Sequence, residues 1–174
     1  MKWNLAEFCL RKNIFGFDNA NAFFRRLDKN AMIPILKANG AIIGKNCDIE
    51  SPLIFHNCND FSNLIIGNNC HIGKNCFFDL RGRIYIEDNA VISMQTTIIT
   101  HMDLGTSSLS LIYPPTFKNV ILKKNCYLGA NSTILMGVTI GERCFVSAGS
   151  IVNKNVESDI LVGGIPAKEL KKLN

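Results

Sequence analysis

No apolar run in the 174-residue chain approaches the roughly 20 residues of a spanning helix, so no membrane span is expected. The opening MKWNLAEFCL lacks the uninterrupted apolar core of a secretory signal. No C-x-x-C pair occurs among the seven cysteines, which argues against a zinc ribbon or a redox motif. Basic runs with interleaved aromatics are missing, and the net charge of +5 is spread along the chain, so no nucleic-acid partner is expected. There is no G-x-S-x-G elbow, no P-loop and no dinucleotide glycine pattern. What remains is a chain with 47% hydrophobic residues, long enough for one domain with a sizeable core.

A repeat of six dominates it. Leu122, Leu128, Ile134, Ile140, Val146 and Val152 fall six residues apart without a slip. Four residues after each comes a small or β-branched side chain: Cys126, Ser132, Val138, Cys144, Ser150 and Val156. Neither a helical period of 3.6 nor strand alternation of 2 selects such positions. A fixed hexad is the signature of a parallel β-helix, in which three hexads close one triangular coil and both marked positions point inward. Corners between strands call for Gly or Asn, which tolerate positive φ. Five cysteines (Cys47, Cys70, Cys76, Cys126, Cys144) occupy the small inward slot. They read as small hydrophobes, and reduced thiols suit a cytoplasmic location.

The hexads begin at IIGKNC (Ile42–Cys47), lose phase over Phe55 to Asn63, return at Ile66, slip by two near Ile84 and continue to Ile98. Before them, residues 1–39 show helical spacing and predict two or three short helices capping the first coil. Arg25, Arg26 and Lys29 read as a solvated face of that cap. The coil domain is expected over 40–168, with a tail at 169–174 that predicts a short C-terminal helix. Within the domain, 102–119 carry no hexad phase and contain Pro114-Pro115. An excursion of that length inside a regular solenoid is usually functional.

Only three histidines are present: His56, His71 and His101. A metal site needs converging imidazoles. His71 precedes an aliphatic slot, His101 follows one by three residues, and His56 falls outside the phase, so no metal is expected. His101 sits at a corner where the excursion starts, and an imidazole there suits a general base. Asp103, two residues on, is expected either to orient the ring or to face solvent.

The segments YLGANSTILMGVTIGERCFVSAGSIVNKNVESDILVGGIPAK (Tyr127–Lys168) and IITHMD around His101 resemble the hexapeptide-repeat acyltransferases. The likeness is closest to the maltose and galactoside O-acetyltransferases and polysaccharide O-acetyltransferases, over roughly residues 40–170. The resemblance implies a mainly β fold, a left-handed parallel β-helix, assembled as a homotrimer with active sites between subunits. It implies acetyl-CoA as acyl donor, a glycan or other small-molecule acceptor, and His101 as the base that deprotonates the attacking hydroxyl. Carried over residue by residue, Tyr127, Gly129, Ala130, Ala148, Asn153, Lys154 and Lys168 would line the coenzyme channel. Asp79 and Arg81, in CFFDLRGR, stand near the acceptor-binding position. An acidic group at 79 departs from the Asn of the sugar acetyltransferases; it suits sugar hydroxyls, a cationic acceptor, or an ion pair with Arg81 or Arg83. The resemblance leaves open N-acylation of an amino sugar nucleotide or an antibiotic, and a non-catalytic scaffold.

Overall fold

The computed structural model describes residues 2–173. Four short helical segments come first: α1 (Lys2–Phe15), α2 (Phe17–Ala22), a 3-10 turn (Phe23–Arg26) and α3 (Lys29–Ala38). Asp28 starts α3 by accepting a hydrogen bond from the Asn30 N–H at 2.8 Å, as an N-cap carboxylate does.

Strands then follow in threes. The first coil holds β1 (Ile42–Ile43), β2 (Asp48–Ile49) and β3 (Ile54–His56); the second holds β4 (Leu64–Ile66), β5 (His71–Ile72) and β6 (Phe77–Asp79). The third holds β7 (Ile84–Ile86), β8 (Val91–Ile92) and β9 (Thr97–Ile98). Next comes a projecting hairpin of β10 (His101–Met102) and β11 (Thr116–Phe117). The fourth coil is β12 (Val120–Leu122), β13 (Tyr127–Leu128) and β14 (Thr133–Ile134); the fifth is β15 (Thr139–Ile140), β16 (Phe145–Val146) and β17 (Ile151–Val152). A partial sixth turn carries a bridge from Val156 to Ile140, then β18 (Ile160–Gly164) and β19 (Ala167–Lys172).

Stacking gives three sheets, one per side of a triangular prism. The orders are β1-β4-β7-β12-β15, then β19-β18-β16-β13-β8-β5-β2, then β17-β14-β9-β6-β3. Apart from the β18–β19 pair all of their ladders are parallel. The chain is therefore a parallel β-helix of about six turns. Both hexad slots are inward, as the repeat predicts: Leu122 to Val146 are fully buried and the small partners from Cys126 to Ser150 are at most 2% exposed.

The corners divide their labour in a way the sequence expectation merged. Asn46, Asn69, Asn75, Asn89, Asn125 and Asn131 carry the positive φ, between 55° and 59°. The glycines that follow an aliphatic slot (Gly44, Gly67, Gly73, Gly129, Gly141) do not, and are required by close approach, whereas Gly137 and Gly149 take the left-handed place itself, with φ of 79° and 69°. A Cβ at Gly44 would lie 2.5 Å from the Gly67 carbonyl oxygen, and one at Gly129 2.5 Å from the Ala148 nitrogen.

Two expectations need correction and a third holds. Residues 54–56 are not irregular: they form β3, with Phe55 inward at 4% exposure, and the loop is confined to 57–63. The slip near Ile84 is real, because β7 is a three-residue strand whose Ile84 and Ile86 both face in. Among the described residues no helix follows the coils. β19 folds back antiparallel onto β18, because the open edge of the last strand offers a row of unpaired backbone groups and six residues cannot nucleate a stable helix alone. Phenylalanines weld the helical cap to the first coils: Phe24 lies 5.1 Å from Phe61 and 5.2 Å from Phe55, centroid to centroid, and Phe55 stacks at 5.9 Å on Phe78.

Candidate active site

His101 begins β10, just past the corner that follows β9. Its position is fixed by a buried carboxylate one coil below. Asp79, at the end of β6, is 1% exposed, and its Oδ2 lies 2.6 Å from His101 Nδ1. The same oxygen accepts from the Thr100 N–H (2.7 Å), the Thr100 hydroxyl (3.0 Å) and the His101 N–H (3.0 Å). Asn57 Nδ2 and the Arg81 N–H reach Oδ1 at 3.3 and 3.4 Å. Burial pushes the Asp79 carboxyl up, but the bonds from His101 and Thr100 outweigh it and hold the group below the usual carboxylate value. Asp79 is thus ionised at neutral pH, and Nδ1 of His101 carries the proton that bonds to it.

That tautomer leaves the lone pair on Nε2. The Asn57 amide nitrogen lies 3.0 Å from Nε2 and 3.3 Å from Nδ1. An atom nearly equidistant from both ring nitrogens sits across the ring, not along either lone pair. The side chain of His101 is 25% exposed, so Nε2 is reachable by a ligand. A neutral imidazole backed by a carboxylate can take a proton from a hydroxyl and hold the positive charge that results.

The alternatives left open for Asp103 narrow to the exposed one, and the reading of Asp79 changes. Asp103 does not orient the ring: its Oδ1 accepts from the Gly105 N–H at 2.8 Å and closes the turn that starts the excursion. Asp79 is no acceptor contact, since it is sealed beneath the imidazole, nor is it paired with either arginine; Arg81 offers it only a backbone N–H and Arg83 Nη1 lies 3.4 Å from the Tyr85 hydroxyl. His56 is in register with Asp79 across the β3–β6 ladder. Its ring is 6.3 Å from that of His101 and 5.8 Å from that of Phe77, so it is a neighbour of the site and not outside the repeat. Asn57 was missed altogether, and its place in an irregular loop leaves no signal in the hexads.

The residues expected along the coenzyme channel fall at two corners. Gly129, Ala130 and Ala148 stack at the corner after β13 and β16, where the Gly149 N–H bonds to the Ala130 carbonyl at 2.9 Å. Beside them Tyr127 packs on Phe145 at 4.6 Å and accepts a hydrogen bond from Ser93 Oγ at 2.9 Å. Lys168 joins this edge opposite Gly163 in the terminal hairpin. Asn153 and Lys154 are exposed at the next corner, after β17, which is the corner His101 occupies two coils lower. One whole side of the prism separates the two groups.

Comparison with known proteins gives this arrangement its context. The model described as hexapeptide repeat of succinyl-transferase matches residues 63–98 and 120–154. Galactoside O-acetyltransferase of Escherichia coli (strain K12) is 27% identical over 151 residues, covering 80% of this chain and 68% of that protein. The crystal structure of a hexapeptide-repeat acetyltransferase of Vibrio cholerae with acetyl coenzyme A superposes with a TM-score of 0.74 at 25% identity, over 98% of this chain and 86% of that one. In sequence and in fold the chain resembles the hexapeptide-repeat acetyltransferases. A 2,3,4,5-tetrahydropyridine-2,6-dicarboxylate N-acetyltransferase of Staphylococcus aureus (strain JH9) is 38% identical over 72 residues, which span 41% of this chain and 30% of that enzyme. Both O- and N-acetyltransferases are therefore among its relatives. Among the described residues no group of three His, Cys, Asp or Glu could hold a metal ion, and no helix is long and apolar enough to cross a membrane.

Proposed function

We propose that this acetyltransferase moves an acetyl group from acetyl-CoA to a hydroxyl of a sugar or surface-polysaccharide precursor, in the cytoplasm, with His101 as general base. The observation that carries the reading is the 2.6 Å bond from His101 Nδ1 to the buried Asp79. Asp79 fixes the tautomer and orientation. Nε2 takes the proton of the acceptor hydroxyl as its oxygen attacks the thioester carbonyl, and returns that proton to the sulfur of the departing coenzyme. No acyl-enzyme is needed. The similarity to a galactoside O-acetyltransferase across most of the chain favours a sugar hydroxyl. The match to an N-acetyltransferase keeps an amine acceptor, such as an amino sugar nucleotide, as the second reading.

The channel residues support a site shared between protomers. Small groups at Gly129, Ala130 and Ala148 leave room for a thin pantetheine chain, and the ammonium groups of Lys154 and Lys168 suit its phosphates. Because these lie on two corners, a groove touching both sets together with His101 forms most simply between adjacent copies, as in a homotrimer. A stripe of Ile42, Ile65, Tyr85 and Ile121 on the outer face beside the His101 corner lines a groove of about 580 Å³, and gives such a neighbour an apolar surface to cover. The test is His101→Ala, with free thiol measured against a panel of hydroxyl and amine acceptors. Turnover should fall about a hundredfold or more with the assembly intact; transfer near the wild-type rate would remove His101 from its role, and the acceptor that reacts separates the two readings.

A further inference from the structure

Helix α1 is apolar on two opposite faces. Phe8 is fully buried and Leu5 packs beside it against the cap's core. On the other side Trp3, Leu10 and Ile14 are 87%, 59% and 60% exposed. At about 100° per residue these three fall within about 40° of one another, opposite Phe8. An exposed apolar stripe of this kind ordinarily marks a contact surface, and no described residue covers this one.

The charge around it is one-sided. Residues 1–40 carry seven basic and three acidic side chains, so this short segment holds +4 of the chain's +5. Arg25 and Arg26 are exposed and line, with Arg11, Glu7 and Phe23, a groove of about 440 Å³ along the flank of α1. Arg11 is held there by Glu7 at 2.8 Å and lies over the Phe23 ring at 5.0 Å. No acid pairs with Arg25 or Arg26 among the described residues. Lys29, by contrast, is committed to Asp48 and Glu50, so the solvated face expected of the three basic residues is in fact two free arginines and one paired lysine.

An exposed Trp and aliphatic stripe beside unpaired arginines is the chemistry of a helix that lies in a lipid interface, its rings and methyls among the acyl chains and its cations at anionic headgroups. A second copy of the same surface fits poorly, since it would bring two +4 caps together. We propose that the outer face of α1, with Arg25 and Arg26, docks the protein on an anionic membrane surface. This is independent of the acceptor and of the role of His101.

The experiment is flotation of the full chain with vesicles of phosphatidylcholine and phosphatidylglycerol (7:3) and with phosphatidylcholine alone, near physiological salt. Wild type is expected to float with the anionic vesicles and at least about tenfold less with the neutral ones. Leu10→Ser with Ile14→Ser, and separately Arg25→Glu with Arg26→Glu, should each cut the bound fraction about tenfold with an unchanged melting curve. Failure of wild type to float, equal binding to both vesicles, or undiminished binding by either folded variant would overturn the proposal. So would a smaller particle for Leu10→Ser with Ile14→Ser in sedimentation velocity, because the stripe would then be covered by another copy.

Discussion

Replacing Asp79 separates what its charge does from what its shape does. Four donors converge on Oδ2: the Thr100 N–H and hydroxyl, the His101 N–H and the His101 Nδ1–H. Oδ1 receives only the two long contacts from Asn57 and Arg81. In Asp79→Asn the amide oxygen therefore takes the Oδ2 place, keeps the tautomer of His101, and sets its NH2 where two weak donors stood. The negative charge that stabilises the imidazolium is lost, and kcat should fall about 10- to 100-fold, or about 1.4–2.7 kcal/mol of barrier. Asp79→Ala instead leaves buried donors without an acceptor, and should cost about 3–5 kcal/mol of stability as well. Because the Asp79 carboxyl is held below its unfolded value, its contribution is present above pH ~4 and is lost as pH falls through the lower folded value. Urea unfolding of wild type and Asp79→Asn should thus show a stability gap at neutral pH that closes as the pH falls below ~4. Asp79→Asn with wild-type kcat, on an acceptor that His101→Ala cannot use, would refute the assigned role of the carboxylate.

Phe61 is fully buried and lies 5.2, 5.1 and 4.9 Å, centroid to centroid, from Phe17, Phe24 and Phe55; Phe61→Ala should cost about 3–5 kcal/mol in denaturant unfolding and loosen the cap before the coils. Burial pushes the thiols of Cys58 and Cys126 up to about 12, and those of Cys70 and Cys76 up to about 11. Iodoacetamide at pH 8 should therefore modify the exposed Cys9 while leaving these four intact in mass spectra, until denaturant is added.

How much of this could be read from the chain depends on whether a feature obeys the repeat. The slots from Leu122 to Val156 do, and they place every strand from β12 to β17. The pairing of Asp79 with His101 does not. The Arg81–Gly82 insertion lengthens the third coil to a 20-residue offset, as in the register of Phe78 with Ile98, and His101 lies two residues past the position over Asp79, so the two residues stand 22 apart and not 18. Asp103, only two residues from His101, was visible, yet a residue at that distance in a hairpin neck closes its own turn. The tail was misread for a related reason. A run such as AKELKK has good helical propensity, but the edge of β18 exists only once the coils have stacked, and no local pattern announces it. Likewise the Asn before a small slot and the Gly after an aliphatic one look interchangeable until the backbone shows that the first turns the chain and the second lets two coils touch.

The division of the channel residues between two corners leads to a quantitative test of the shared site. His101 and Lys154 are on one corner of the prism, Ala130 and Ala148 on another, and a full side of the triangle, at most about 20 Å for six extended residues, lies between them. If the reacting groups meet only where one copy's His101 faces another copy's Ala148, two inactive variants should rescue each other. His101→Ala removes the base. Ala148→Trp, at an exposed position, fills the corner without entering the core. Unfolded and refolded together in equal amounts, the two should assort at random, and an interface with both halves intact requires His101 from one parent and Ala148 from the other. About a quarter of the wild-type activity is then expected from a mixture whose parents have almost none. A site built within one chain cannot be repaired in this way, because every protomer would carry a defect of its own, and a mixture as inactive as its parents would place the whole reaction on a single copy.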